Sequence, residues 1–213
     1  MSLTLATIFA TSFVIALSGA LMPGPVLSVT VSESVRRGGA AGPLMIFGHS
    51  ILELALVIAL LAGLAPFFSR DEVFIGVSLL GGFILLWMAF MMFRELPTLT
   101  LTIDSHDAKQ RNLVVAGILL SLANPYWLIW WATIGIGYIM YSLKFGLAGI
   151  IAFYTGHILA DLAWYSLISF GVAKGRSFFT DRFYRVLIGG CATFLVVFSG
   201  YFLYSGLEKM LRS

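Results

Sequence analysis

Residues 73–93 read VFIGVSLLGGFILLWMAFMMF, an apolar run without one charged side chain. About 20 such residues, coiled as a helix, cross the hydrocarbon core of a bilayer, and the helix satisfies its own backbone where lipid offers no partner. Working outward, similar runs occupy about 5–32, 42–66, 113–142, 146–173 and 184–207, and the charges gather between them. The whole chain of 213 residues is 60% hydrophobic and only 11% charged, with a mean hydropathy of +0.98. These values exclude an ordinary soluble globular domain. Continuous runs, unlike the ten-residue alternating segments of a barrel, call for helices. The expected fold class is an all-α integral membrane protein of six transmembrane helices, in one domain over 1–213.

Charge and cysteine usage narrow the class further. The net charge is +3, with 13 Lys and Arg against 10 Asp and Glu, but no basic face or nucleic-acid motif accompanies it, and membrane-protein loops ordinarily carry excess Lys and Arg. No nucleic-acid partner is expected. The lone Cys191 sits in an apolar run and excludes a disulfide framework or a cysteine-rich metal site. Met1-Ser2-Leu3-Thr4-Leu5 lacks the basic residue that precedes the apolar core of a secretory signal, so the first segment is expected to be retained.

The positive-inside rule sets an orientation. The connections after the first, third and fifth runs hold Arg36 and Arg37; Arg94, Lys109 and Arg111; and Lys174, Arg176, Arg182 and Arg185. The opposite side holds only Arg70, Lys144, Lys209 and Arg212. The richer side should be cytoplasmic and both termini should lie outside. The longest connection, about 94–112 with Asp104, His106, Asp107 and Lys109, suits a solvated cytoplasmic loop between two halves.

The second half repeats features of the first in the same order. Met22-Pro23-Gly24-Pro25 is answered by Asn124-Pro125, Gly48-His49 with Glu53 by Gly156-His157 with Asp161, and Gly81-Gly82 by Gly189-Gly190. Repeat one covers about 5–93 and repeat two about 113–207. Three helices per half is an odd number, so the halves should enter the membrane from opposite sides as inverted repeats, an architecture of transporters with alternating access.

Pro23 and Pro25 around Gly24, and Pro125 after Asn124, should interrupt their helices, because proline removes a donor and clashes with the preceding turn. Unpaired backbone at membrane depth is tolerated only against protein, a cavity or a ligand, and half-helix ends can hold the carboxylate and ammonium of an amino acid. Packing kinks are the simpler alternative.

His49 and Glu53, and likewise His157 and Asp161, are four apart and share a helix face. An ionisable residue inside a span costs at least ~2.5–3.5 kcal/mol on insertion scales, and by default it faces the bundle interior and works. Three roles remain open at this point. Glu53 and Asp161 bind a substrate cation or carry protons, with His49 and His157 orienting or relaying. Alternatively the four residues form a divalent transition-metal site with nitrogen and oxygen ligands. Or each His satisfies its own carboxylate in an inert packing pair. Ser18, Ser28, Thr30, Ser121, Thr133 and Thr155 fit interhelical packing, and Trp127, Trp130, Trp131 and Trp164 fit aromatic belts and lipid contact. No hydrolase or protease motif appears, so an enzyme is not expected.

Met22-Pro23-Gly24-Pro25, Arg36-Arg37-Gly38, Gly81-Gly82 and Leu122-Ala123-Asn124-Pro125 together resemble the lysine exporter (LysE/RhtB-type) translocators of prokaryotic inner membranes, over nearly the whole chain. The resemblance implies export of amino acids or related small cations, driven by a proton or ion gradient, in a six-helix fold that can form homodimers. It also implies that the two Pro-bearing breaks are substrate-site elements and that Glu53 and Asp161 stand where similar proteins place acidic residues. Gly-His before each acidic residue departs from the pattern expected across amino-acid exporters, and more distant relatives of the superfamily are held to move heavy-metal ions.

The expectation is thus a secondary active exporter of amino acids, basic or small, working by alternating access. Its substrate site is Pro23, Gly24, Pro25, Asn124, Pro125, Glu53 and Asp161, and its relay is His49 and His157 with the two carboxylates. The alternative is a divalent transition-metal exporter that uses His49, Glu53, His157 and Asp161. No cofactor is expected, and the partners are a small-molecule solute, membrane lipids and a second copy of the chain.

Overall fold

The structure, a computed structural model, describes residues 2–68, 70–99, 112–175 and 180–212. Asp104, His106, Asp107, Lys109, Arg111 and Arg176 lie outside the described residues. Every regular element among the described residues is helical. Helix α1 (Ser2–Ala20) and helix α2 (Pro25–Arg37) meet at an 83° bend. Gly24 caps α2 in extended conformation and Pro25 opens it, where a missing N–H costs nothing and the fixed φ already suits the first helical turn. Helix α3 (Ala41–Ala59) runs on into a π turn, Leu60–Leu64. There Gly63 takes φ 116°, a backbone region that side-chain-bearing residues rarely enter.

Helix α4 (Asp71–Glu95) starts with Asp71 and Glu72 and ends near Arg94, charges that suit the helix dipole at each end. Helix α5 (Leu113–Leu122) is capped by Asn112, whose side chain accepts from the backbone N–H of Val114 and Val115. Asn124 separates it from α6 (Pro125–Trp130), which continues through a π turn, Trp131–Gly135, into α7 (Ile136–Leu143). The bend between α5 and the 126–143 segment is 65°. Helix α8 (Gly146–Gly175) and helix α9 (Asp181–Arg212) complete the chain.

Four helical stretches are long and apolar enough to cross a membrane unaided: Ala41–Leu64, Asp71–Thr98, Gly146–Gly175 and Asp181–Arg212. The two bent pairs bring the number to six if each is one span. These stretches coincide with the six apolar runs of the sequence. On α4, Leu80, Phe83, Trp87 and Phe90 recur at helical spacing and are all more than half exposed, which is the face a span turns to lipid.

Three helix pairs dominate the packing: α1 with α8, α3 with α5, and α4 with α9. Backbones approach closely in the first two. A Cβ built on Gly48 would stand 1.9 Å from the Val114 carbonyl oxygen, and one on Gly156 would stand 2.4 Å from that of Phe9. Three residues earlier on α8, the Phe153 carbonyl accepts from the Ser12 hydroxyl at 2.7 Å. Close packing of this kind holds membrane helices together where lipid removes any hydrophobic drive between them.

Along α3 the order is an apolar cluster around Ala41, Met45 and Ile46, then His49 and Glu53, then a second apolar cluster at Val57 and Leu60. Helix α8 runs through the same layers in reverse: Ile150 and Phe153 belong to the second cluster, His157 and Asp161 follow, and Tyr165 and Val172 join the first. The polar layer therefore lies between two apolar plugs, at the middle of the bundle.

Candidate functional site

Helices α3 and α8 present their polar positions to each other. His49 and Glu53 stand one turn apart on α3, as do His157 and Asp161 on α8, so the four side chains converge. His49 Nε2 lies 3.1 Å from Glu53 Oε1 and 3.7 Å from Asp161 Oδ2. His157 Nε2 lies 2.9 Å from Glu53 Oε2 and 3.5 Å from Asp161 Oδ2. Glu53, His157 and Asp161 are buried, while His49 is slightly more open. One nitrogen or oxygen from each residue falls within 4.8 Å of all the others. Charged groups at this depth are costly unless paired, and here each carboxylate is matched by two imidazoles.

Glu53 has partners that the sequence reading did not assign. Trp127 Nε1 and Trp131 Nε1 both donate to its Oε1, at 3.0 and 2.9 Å. Trp130 donates through Nε1 to Ser18 Oγ at 3.1 Å, and the rings of Trp130, Trp131 and Phe153 stand 4.8, 5.6 and 5.9 Å from the His157 ring. Trp127, Trp130 and Trp131 are buried. The expectation of aromatic belts and lipid contact is corrected for these three, whose N–H groups find acceptors inside the bundle; Trp164 is half-buried against the apolar cluster of α2 and α3. The available signal was their spacing: three tryptophans at i, i+3 and i+4 directly after the Asn124-Pro125 break share one face. Ser121, expected from the sequence to serve interhelical packing, pairs with His49 Nδ1 at 2.7 Å. Thr133, Thr155 and Ser28 bond carbonyls of their own helices.

The π turn positions Trp131. A Cβ on Gly135 would lie 2.4 Å from the Trp131 ring, so the indole lies directly over a residue that has no side chain. Gly135→Ala should therefore displace the indole from Glu53. Losing one bond to a charged acceptor is worth ~1.5–3 kcal/mol, so solute flux in proteoliposomes should fall about tenfold or more. Unchanged flux with an unchanged tryptophan emission spectrum would show that the ring has other room.

The two helix breaks meet at the same place. A Cβ on Gly24 would stand 3.6 Å from the Asn124 side-chain nitrogen. Asn124 caps α6 by accepting from the Tyr126 N–H at 3.1 Å. A cavity of about 60 Å³ opens here, lined by Gly24 and Asn124 together with His49, Glu53, His157 and Asp161. By this measure a single water needs about 10–15 Å³, so there is space for several waters or a small polar group. Pro23 and Pro25 form the bend half-buried and are absent from the cavity lining, and Pro125 begins α6 with its side chain outside the described residues. The structure thus brings Gly24, Asn124, Glu53, Asp161, His49 and His157 to one cavity, with the prolines setting the bends beside it.

Residues 17–206 match the sequence model of the LysE type translocators, a stretch that contains both breaks and all four ionisable residues. The chain belongs to the LysE type translocator family. The translocator is 25% identical over 188 residues to the chemotactic transduction protein ChpE of Pseudomonas aeruginosa, covering 84% of this chain and 88% of ChpE. It is 21% identical over 207 residues to YcgF of Bacillus subtilis, whose name assigns it provisionally to amino acid efflux, covering 96% of this chain and 99% of YcgF. No solved structure matches the translocator at a significant level. Family membership and the apolar helices make it a multi-pass membrane transporter whose substrate is a small solute.

Proposed function

We propose that this translocator is a secondary active exporter of amino acids, small or basic, across a prokaryotic inner membrane, coupled to protons or ions. The observation that carries the proposal is the cluster of two imidazoles and two carboxylates in the wall of a cavity between two broken helices. Such breaks expose helix ends with partial charge, which can hold an amino acid's carboxylate while acidic side chains hold its ammonium group. Imidazoles and carboxylates within 3.7 Å of one another can also pass protons and so exchange a proton for a solute. YcgF, whose name points to amino acid efflux, supports the choice of solute. On this proposal the protein is a carrier without catalytic turnover.

The same proposal gives the molecule six spans in one domain, as two inverted repeats of three, with alternating access by rocking of the halves around the fixed cavity. A constant offset of 108 residues supports it, relating Gly48 to Gly156, His49 to His157, Glu53 to Asp161 and Gly81-Gly82 to Gly189-Gly190. The packing carries a related offset. The contact of Gly48 with Val114 is answered by that of Gly156 with Phe9, and that of Gly117 with the Met45 carbonyl by that of Ser12 with the Phe153 carbonyl. The proposal keeps the termini outside on the Lys and Arg asymmetry, and a homodimer as the assembly.

A divalent transition metal is the second candidate for the solute, favoured by the convergence of four ligand atoms within 4.8 Å. One experiment tests both. Purified protein in liposomes is assayed for counterflow of labelled lysine, arginine and neutral amino acids beside zinc, manganese and cadmium, with Glu53→Gln in parallel. Amino acid flux that disappears in the variant supports the exporter of amino acids. Metal flux alone reassigns the four residues to a metal pathway.

A further inference from the structure

The two carboxylates of the site are not equivalent. Glu53 is the most enclosed of the four ionisable groups, with Oε1 accepting both indole N–H groups and both imidazoles within 3.1 Å of its carboxylate. Asp161 is bound far less tightly. Its Oδ2, like Glu53 Oε2, is buried without a well-directed hydrogen bond among the described residues; but Glu53 Oε2 has His157 Nε2 at 2.9 Å, whereas the imidazole nitrogens stand 3.5 and 3.7 Å from Asp161 Oδ2, beyond hydrogen-bonding length. Both side chains line the same cavity.

We infer that Trp127 and Trp131 fix Glu53 as the permanent anion that anchors His49 and His157, leaving Asp161 as the carboxylate that receives the ammonium group of the solute. Charge-assisted N–H bonds hold an ionised acceptor about twice as strongly as neutral ones, and two indole donors on Oε1, with His49 Nε2 also 3.1 Å from it, leave that oxygen no room for a ligand. A buried carboxylate oxygen with no nitrogen inside hydrogen-bonding length, as at Asp161 Oδ2, is in the opposite position: it is already desolvated, and an arriving N–H donor satisfies it. The indoles act through Glu53 and are positioning residues. This division of roles rests on the export of amine-bearing solutes proposed above, and the internal repeat would not by itself provide it, because the three tryptophans follow the second break only.

The test is chemical labelling of the full-length protein in liposomes with dicyclohexylcarbodiimide. A protonated, reachable carboxyl adds its O–H across a C=N bond of this reagent, and the product rearranges to a stable N-acylurea that mass spectrometry maps to a residue. Asp161 should carry at least tenfold more label than Glu53, and saturating lysine or methylammonium should suppress it. In Trp127→Phe with Trp131→Phe, which removes both donors while keeping aromatic volume, label should appear on Glu53. The two single variants serve if the double variant fails to elute as a monodisperse species. Label on Glu53 at or above the level of Asp161 in the parent, no label on either residue, no suppression by the amines, or an unchanged pattern in the tryptophan variants would each overturn the inference. Counterflow separates the two proposals: absence of amino acid flux counts against the exporter, while transfer of label from Asp161 to Glu53 reports on the indoles whatever the solute.

Discussion

Glu53→Gln should lower solute flux in proteoliposomes by about a hundredfold or more, while the protein still inserts and purifies as a monodisperse species. The amide keeps the shape of the carboxylate, and its oxygen can still accept from Trp127 and Trp131, so the packing of α3 against α6 is retained. What disappears is the negative charge between His49 and His157. His157 Nε2, 2.9 Å from Glu53 Oε2, would then face an N–H₂ group, a donor in place of an acceptor. Hydrogen bonds to charged groups are worth ~1.5–3 kcal/mol each. Loss of the charge seen by two imidazoles therefore amounts to ~3 kcal/mol or more, which is roughly two orders of magnitude in rate. Flux within threefold of the parent, at equal protein in the liposomes, would rule out a role for the Glu53 charge. A collapse of the melting temperature would instead assign Glu53 to folding.

Much of this molecule could be read before any coordinates. The six runs are visible because lipid tolerates no charge, and the observed helices coincide with them. Pro23, Pro25 and Pro125 mark the two breaks because each forbids an ordinary helix interior. His49, Glu53, His157 and Asp161 stood out because ionisable groups inside spans are expensive. Less accessible was which face meets which. The i, i+4 spacing groups His49 with Glu53 and His157 with Asp161, yet nothing local says that His157 approaches Glu53 to 2.9 Å, closer than it approaches its own helix neighbour Asp161 at 3.5 Å. The tryptophans are ambiguous in the sequence for the same reason. A membrane belt and a buried donor set share one composition, and only the tertiary position of Glu53 separates them. The 83° and 65° bends exceed anything that proline alone specifies. They depend on Gly24 and Asn124 capping new helices that start in a new direction.

Gly48→Ala and Gly156→Ala should each destabilise the fold strongly, and by the same mechanism in two different helix pairs. The added methyl group would need to occupy space 1.9 Å from the Val114 oxygen in one case and 2.4 Å from the Phe9 oxygen in the other. Both obstacles are backbone, which cannot rotate out of the way as a side chain would. Either α3 and α5, or α1 and α8, must separate. Overpacking of this kind costs ~1–3 kcal/mol and sometimes more, and each ~1 kcal/mol shifts the melting temperature of a chain of this size by about 2–4 °C. A fall of about 5–10 °C in detergent is therefore expected for each variant. Gly171→Ala is the control on the same helix as Gly156, since a Cβ there meets nothing within 4 Å, and it should stay within about 2 °C of the parent. The position of these glycines adds a functional consequence. Each immediately precedes a site histidine, so separating the helices also moves His49 away from Ser121, now 2.7 Å distant, or shifts His157 within its ring of aromatic neighbours. Flux should then fall even at temperatures where the variant remains folded. A variant that melts like the parent and transports like it would show that the helix pairs can part without cost, and the close approach would then have no bearing on the geometry of the site.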